Sequence, residues 1–298
     1  MLKVREKVLR FLNPLNQFSA KTIWNAIFNM EKSFLKKFSI TKCTIGLELE
    51  FYFLSKPSEL LLHEISLIPF VHEIKTELGH HQYEITTVPL HSFLEASDAF
   101  YYIQHELNRI AKMHNTEISL QAVYNQEQPP SSMQINICLF AQHTTAPLSL
   151  NNVTFMKVLQ NIVANVNSAM YLSCPTADCY DRIANRGFVE KYKNSPTHAT
   201  WGTENRTVAV RIAKIPNSNF GNRIEYRTPS PIADPYHLLL VILSSAMCDT
   251  NVYHPQTFVD SAQSQEKPLP RTYFEAIQAF ANSKIHKKIE YFCKKNAL

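Results

Sequence analysis

Five short stretches of this chain alternate apolar and polar positions with a period of two. Leu47, Leu49, Phe51 and Phe53 interleave with Glu48, Glu50 and Tyr52; Tyr83 and Ile85 with Gln82 and Glu84; Ile135 and Ile137 with Gln134 and Asn136. Val208, Val210 and Ile212 interleave with Ala209 and Arg211, and Ile224 and Tyr226 with Arg223, Glu225 and Arg227. Side chains of a strand alternate between its faces, so each stretch predicts a β-strand with one apolar face and one carrying carboxylates, amides or guanidiniums. Carboxylates gathered on one sheet repel unless cations hold them, and guanidiniums attract a polyanion. The pattern therefore suggests divalent metal together with phosphate. Periodicity alone favours a plainer reading, an antiparallel sheet whose polar face is solvated and whose charges pair in water.

Between these strands the period lengthens to that of helices. His91 to Met113 carries Phe93, Leu94, Phe100, Ile103, Leu107 and Ile110 at helical spacing, and Phe155 to Leu172 forms a second such stretch with Asn161, Asn165 and Asn167 among its apolar residues. Pro235 to Met247 is nearly all apolar, which predicts a helix buried against the back of the sheet. Gln126 to Ser132, with Pro129 and Pro130, reads as a loop. Ahead of the first strand, Leu2, Val8, Leu9 and Leu12, then Ile23, Trp24, Ile27, Phe28, Phe34 and Leu35, predict two amphipathic helices broken near Pro14. No repeat, low-complexity tract or linker follows residue 40.

Charge adds one asymmetry. Residues 1–39 carry Lys3, Arg5, Lys7, Arg10, Lys21, Lys32, Lys36 and Lys37 against Glu6 and Glu31, a balance of +6 where the whole chain totals +5. By subtraction the remainder is close to neutral, at −1. Such helices could meet an acidic surface or a membrane, but packing on the rest of the domain is the expectation. A basic segment without a binding motif gives no reason to expect nucleic acid. No apolar run reaches the ~18 residues of a membrane span, and no secretory leader is evident, so the expected location is the cytoplasm. With 298 residues, 45% of them hydrophobic, the chain can bury a sizeable core. Cys43, Cys138, Cys174, Cys179, Cys248 and Cys293 form no disulfide framework; Cys174 and Cys179 read as a structural pair of free thiols in a reducing compartment.

Local spelling goes beyond periodicity. The run Trp201-Gly202-Thr203-Glu204-Asn205-Arg206-Thr207 is followed by Arg211-Ile212, then by Arg223-Ile224-Glu225-Tyr226-Arg227-Thr228-Pro229, with Pro231 and Asp234-Pro235-Tyr236 behind it. This ordered series resembles the catalytic core of glutamine synthetases, which reads W-G-x-x-N-R, then Arg-Ile, then R-x-E-x-R-x-P-x-P-x-x-N-P-Y. Gly46-Leu47-Glu48-Leu49-Glu50-Phe51 resembles the family's first E-x-E strand, and Glu77 through Gln82 to Glu84 its E-x-x-x-x-Q-x-E segment. Ser132-Met133-Gln134-Ile135-Asn136 stands at its G-M-H-x-H, and Leu269-Pro270-Arg271 through Glu275-Ala276 resembles its late L-P-x-S-L-x-E-A helix. The resemblance runs from residue 44 to about 290.

It implies an α+β fold, a curved antiparallel sheet with helices packed on its convex face, with residues 1–39 as a helical appendage and 40–298 as the catalytic domain. It also implies a chemistry in which ATP first phosphorylates a carboxylate, with Mg2+ or Mn2+ bridging phosphates and arginines neutralising charge in transit. Carried over by position, Glu50, Glu77 and Glu84 would hold one ion, and Glu48, Gln134 and Glu225 the other. Arg206 and Arg211 would stabilise the transferring phosphoryl group, Arg223 with Arg206 and Asn136 would bind the nucleotide, Arg227 would grip the carboxylate, and Arg182 would bind substrate.

Departures from the family pattern bear on the amine. Gln134 replaces a metal-binding histidine, as in the related glutamate–cysteine ligases, and suits magnesium. Pro129-Pro130 replaces a substrate-contacting Asn-Gly, Ser230 an aspartate, and Asn194 the flap glutamate that takes a proton from ammonium; Arg182 matches a family arginine only across an insertion. Only about forty residues precede the first metal strand, where glutamine synthetases carry a β-grasp domain that completes a neighbour's ammonium site. These departures lead us to expect a carboxylate–amine ligase acting on a glutamate-type carboxylate and an amine other than ammonia: a larger primary amine, an amino acid or a protein side chain. The expected assembly is a monomer or small oligomer. A phosphotransferase on the same fold and a silent nucleotide- or metabolite-binding regulator are the alternatives.

Overall fold

The computed structural model describes residues 15, 17–142, 144–184, 194–214 and 222–296. The first amphipathic helix expected, with Leu2, Val8, Leu9 and Leu12, lies outside the described residues. The second is helix α1 (Ala20–Phe38), started by Ser19, whose hydroxyl accepts from the Thr22 N–H, and stopped at Ser39 in the left-handed conformation. Strand β1 (Ile40–Phe53) follows at once, then helix α2 (Glu59–Ser66) and strands β2 (Val71–Thr76) and β3 (Gln82–Thr87). Helix α3 (Phe93–Met113) begins two residues after the expected His91 because Ser92 caps it, accepting from the Glu95 N–H. Strands β4 (Ile118–Ser119) and β5 (Met133–Ala141) flank the expected proline loop, and helix α4 (Val153–Ser173) starts behind Asn152, which accepts from two backbone N–H groups. The rest comprises helix α5 (Asp178–Ala184), strands β6 (Trp201–Thr203), β7 (Val210–Lys214) and β8 (Asn222–Tyr226), and helices α6 (Pro235–Met247), α7 (Tyr273–Ala281) and α8 (Lys284–Lys295). Helix α6 has the limits its apolar run predicts, with Asp234 as cap and Pro235 in the first turn, where a missing N–H costs nothing.

The strands form one sheet in the order β2-β3-β1-β5-β8-β7-β6, with β4 paired to β1. The expected antiparallel arrangement is modified at one edge, where the three-residue β6 runs parallel to β7. The apolar positions Leu47, Leu49, Phe51, Ile85, Ile135 and Ile224 are all buried and share one core with residues of α1, α3, α4 and α6. Burial of this face, at ~25 cal/mol per Å2, sets the register: a slip of one residue would turn the carboxylates inward.

Helix α1 is part of that core. Ile27, Met30 and Phe34 are buried, and α1 packs on α3, α6 and β1. The Glu31 carboxylate accepts from the Phe93 N–H at the start of α3, 3.1 Å from each oxygen, and the Lys37 ammonium pairs with Asp249 at 2.7 Å. Trp24 and Phe28, expected to be covered, are each 39% exposed and stack on one another instead. No described helix is long and apolar enough to cross a membrane, and all six cysteines are free.

Candidate active site

Cross-strand register converts the sequence alternation into rows. Glu84 on β3 stands opposite Glu50 on β1, and Glu48 opposite Gln134 on β5. Asn136 stands opposite Glu225 on β8, which stands opposite Arg211 on β7. Glu48, Glu50, Glu84, Gln134 and Arg211 line a cavity of about 300 Å3 on the face of the sheet away from the core, joined by Glu77, Arg206, Arg223 and Arg227. Of the twelve residues singled out as site candidates ten line this cavity, and the other two, Asn136 and Glu225, stand opposite one another on neighbouring strands beside it.

The cavity has an acidic wall and a basic wall. Glu48, Glu50, Glu77 and Glu84 occupy the β1–β3 side, while Arg211, Arg223 and Arg227 occupy the β7–β8 side. On the acidic wall, Glu50 accepts from the Ser132 N–H at 2.7 Å and from the Gln134 amide at 3.4 Å. Burial, and then the facing Glu84, push the Glu50 carboxyl up to about 7; burial likewise raises Glu84 to about 7 against the opposing pull of Lys75. Glu84 Oε1 is buried and receives no directed hydrogen bond among the described residues, although the Lys75 ammonium lies 2.7 Å away. Two facing carboxylates, one of them held only by a half-exposed lysine, suit a hard divalent ion of the Mg2+ kind. No three histidine, cysteine, aspartate or glutamate side chains converge on one ion position among the described residues.

The basic wall is held by Glu225. This carboxylate is fully buried and accepts from Arg211 Nη1 at 2.8 Å and from Arg227 Nη1. Arg211 also reaches Glu204 at 2.8 Å, and Arg227 donates to Gln134 Oε1 at 2.9 Å. Arg223 stands 3.9 Å from both Glu48 and Glu225. The Nε atoms of Arg211, Arg223 and Arg227 are buried without an acceptor among the described residues, so three donors are left for an anion. Glu48, Gln134 and Glu225, the set implied for a second ion, each have a protein partner: Glu225 accepts from Arg211 and Arg227, Gln134 accepts from Arg227, and Glu48 accepts from Asn136 at 2.9 Å.

Arg182 lines the cavity and is also bound into the frame behind it. Its guanidinium is buried and donates to the carbonyls of Ser131 (3.3 Å), Pro229 (3.2 Å) and Thr228, so it ties the β5 entry to the segment after β8. Arg206 is exposed in the turn after β6, and Asn194 is exposed at the mouth with Pro129 and Pro130. Lys75 was not among the expected residues. Its signal was present, since Lys75 and Glu77 share a face at period two, but its partner Glu84 is fixed only by the β2–β3 register.

Comparisons with known proteins identify the family and the fold. The model of the family described as "Glutamine synthetase, catalytic domain" matches residues 62–296, a span that begins after β1. Gamma-glutamylputrescine synthetase PuuA of Escherichia coli is 27% identical over 190 residues, covering 62% of this chain and 38% of that protein. A glutamine synthetase of Thermococcus kodakarensis is 25% identical over 287 residues, covering 82% of this chain and 62% of that one. The chain thus spans less than two thirds of either relative's length. Among solved structures, a GmaS/ADP complex superposes with a TM-score of 0.75 at 16% identity, covering 91% of this chain and 71% of that one. Plasmodium falciparum glutamine synthetase does so with a TM-score of 0.72 at 13% identity, covering 92% and 75%. At these identities the structural likeness speaks for the fold.

Proposed function

Because the chain belongs to the glutamine synthetase catalytic-domain family, we propose that it is an ATP- and Mg2+-dependent carboxylate–amine ligase. It activates a carboxylate of the glutamate γ type as an acyl phosphate and passes the acyl group to an amine other than ammonia, releasing ADP and phosphate. The observation that carries this reading is the division of one cavity into a carboxylate wall and a guanidinium wall with unspent donors. A nucleotide polyphosphate with its divalent ion complements both walls at once.

Glu50, Glu77 and Glu84 are the oxygen donors suited to the ion, whose chemistry is to screen phosphate charge from the incoming carboxylate. Arg206 and Arg211 stabilise charge on the transferring phosphoryl group. Arg223, helped by Asn136, binds nucleotide phosphates, and Arg227 holds the carboxylate being activated. Arg182 acts as frame: by fixing Ser131 and Thr228 it sets Ser132, which donates to Glu50, against Arg227. We assign no ion to the Glu48, Gln134 and Glu225 set.

Two features speak for an organic amine. Asn194 at the mouth has no charge with which to draw a proton from ammonium. Leu78, 81% exposed, joins Pro129 and Pro130 in an apolar rim that suits an alkyl substituent. A relative named for joining glutamate to putrescine is in keeping with this.

The test is to incubate the chain with ATP, Mg2+, glutamate and pooled amines and amino acids, following ADP release and new masses together. Matched ADP and amide mass is the expected result. A phosphorylated product without an amide would transfer the reading to a phosphotransferase, and no ADP with any acceptor would leave a silent binder. Glutamine formed from ammonium at ~1 per second or faster would overturn the choice of amine.

A further inference from the structure

Lys75 is a cation built into the acidic wall. It lies on β2 directly opposite Glu84, which lies opposite Glu50, so ammonium, carboxylate and carboxylate form one row across three strands. Its Nζ is 2.7 Å from Glu84 Oε1, and its charge also acts on Glu48 and Glu77. The two ends of the pair differ in freedom. The Glu84 side chain is 5% exposed and fixed in the sheet, whereas that of Lys75 is 46% exposed on the edge strand β2. A long side chain on an edge strand can swing into solvent without disturbing the core.

From this juxtaposition, and resting on the proposed reading of the acidic wall as an ion site, we infer that Lys75 is the resident counter-ion of Glu84 and that a divalent cation enters by displacing it. The ammonium occupies the oxygen that is otherwise without a directed donor, and a cation cannot use that oxygen while the ammonium holds it. Lys75 therefore keeps the carboxylates together when no ion is bound and weakens ion binding by the strength of the pair it must give up. A half-exposed ion pair is worth up to ~1 kcal/mol, equivalent to about fivefold in affinity. It acts as a positioning residue that tunes the ion, without touching the reacting atoms.

The experiment titrates the nucleotide-free protein with Mn2+ and reads free ion by electron paramagnetic resonance, so that no turnover enters. Lys75→Met should bind Mn2+ about fivefold more tightly than the parent. Lys75→Arg, which keeps the cation, should stay within about twofold of it. In Lys75→Met combined with Glu84→Gln the gain should vanish, since it comes from the freed oxygen. Thermal melts of each variant establish that it is folded. Mn2+ binding unchanged or weakened in folded Lys75→Met, or a gain that survives Glu84→Gln, overturns the inference while leaving the ion site intact. Absence of Mn2+ binding in parent and Lys75→Met alike overturns it together with the ion reading itself.

Discussion

Glu225 and Glu50 share a polar face, yet their replacement should have opposite effects on the fold. Glu225 is fully buried and is the common acceptor of Arg211 and Arg227, so Glu225→Ala leaves two largely buried guanidiniums without their counter-charge. Removing one partner of a buried ion pair costs ~3–5 kcal/mol. Here Arg211 retains Glu204 and Arg227 retains Gln134, which places the loss at the lower end, about 3 kcal/mol. For a chain of this size each kcal/mol moves the melting temperature by roughly 2–3 °C, so the variant should melt roughly 6–9 °C below the parent. Glu50→Gln removes a carboxylate that burial, and then the facing Glu84, push up to about 7, and at pH 8 it should melt no lower than the parent. Both variants should lose ATP turnover, so the melts separate structural from chemical loss. Calorimetric melts in chelator-treated buffer are the assay. A Glu225→Ala protein melting within 2 °C (about 1 kcal/mol) of the parent would refute the claim that Glu225 carries the basic wall.

Two further outcomes are expected. Burial raises the Glu31 carboxyl above its usual 4.5 even though the Phe93 N–H pulls the other way, so the folded state holds its proton more tightly than the unfolded chain; stability is therefore greatest below about 4.5 and falls as pH rises through the raised value. Glu31→Gln should match the parent near pH 4.5 and exceed it at pH 8 in urea midpoints, and an equal loss at both pH values would contradict the argument. Gly202→Ala should destabilise by ~1–3 kcal/mol, because a Cβ there would stand 2.6 Å from the Thr257 carbonyl oxygen and press on Asn205, shifting the turn that carries Arg206; an unchanged melt would show that the β6 edge gives way easily.

How much of this was legible in the sequence depends on the range over which each feature is specified. Strand faces and helix limits are local. Alternation at Glu48 and Glu50 and the caps Ser92 and Asp234 mark where elements begin, and α6 has the limits its composition implies. The parallel β6–β7 pair was not legible, since three residues carry no directional signal and the pairing depends on the turn between them. The charge partners were equally hidden: Glu225 with Arg211 and Arg227, and Lys75 with Glu84, are set by register between strands and not by spacing along one. Arg182 shows the same limit, because the carbonyls it satisfies lie about fifty residues away on either side. Glu31 read as one acid in a basic segment, while in the fold it caps a helix sixty-two residues on.

The two walls also show how so many like charges share one face. Four carboxylates on one side and three guanidiniums on the other would each repel themselves, and the sheet lowers that cost by cross-pairing. Lys75 leans onto Glu84, Glu225 draws in Arg211 and Arg227, and Gln134 bridges the walls by donating to Glu50 while accepting from Arg227. Gln134 suits that junction because one amide supplies both a donor and an acceptor without adding charge to either wall. The groups that would bind phosphate and ion are thus the groups that hold the face together without them. Ligands must exchange partners here, and their affinity is the difference between the new pair and the old one. Cross-pairing of this kind offsets the repulsion among like charges on one face while leaving each group exchangeable.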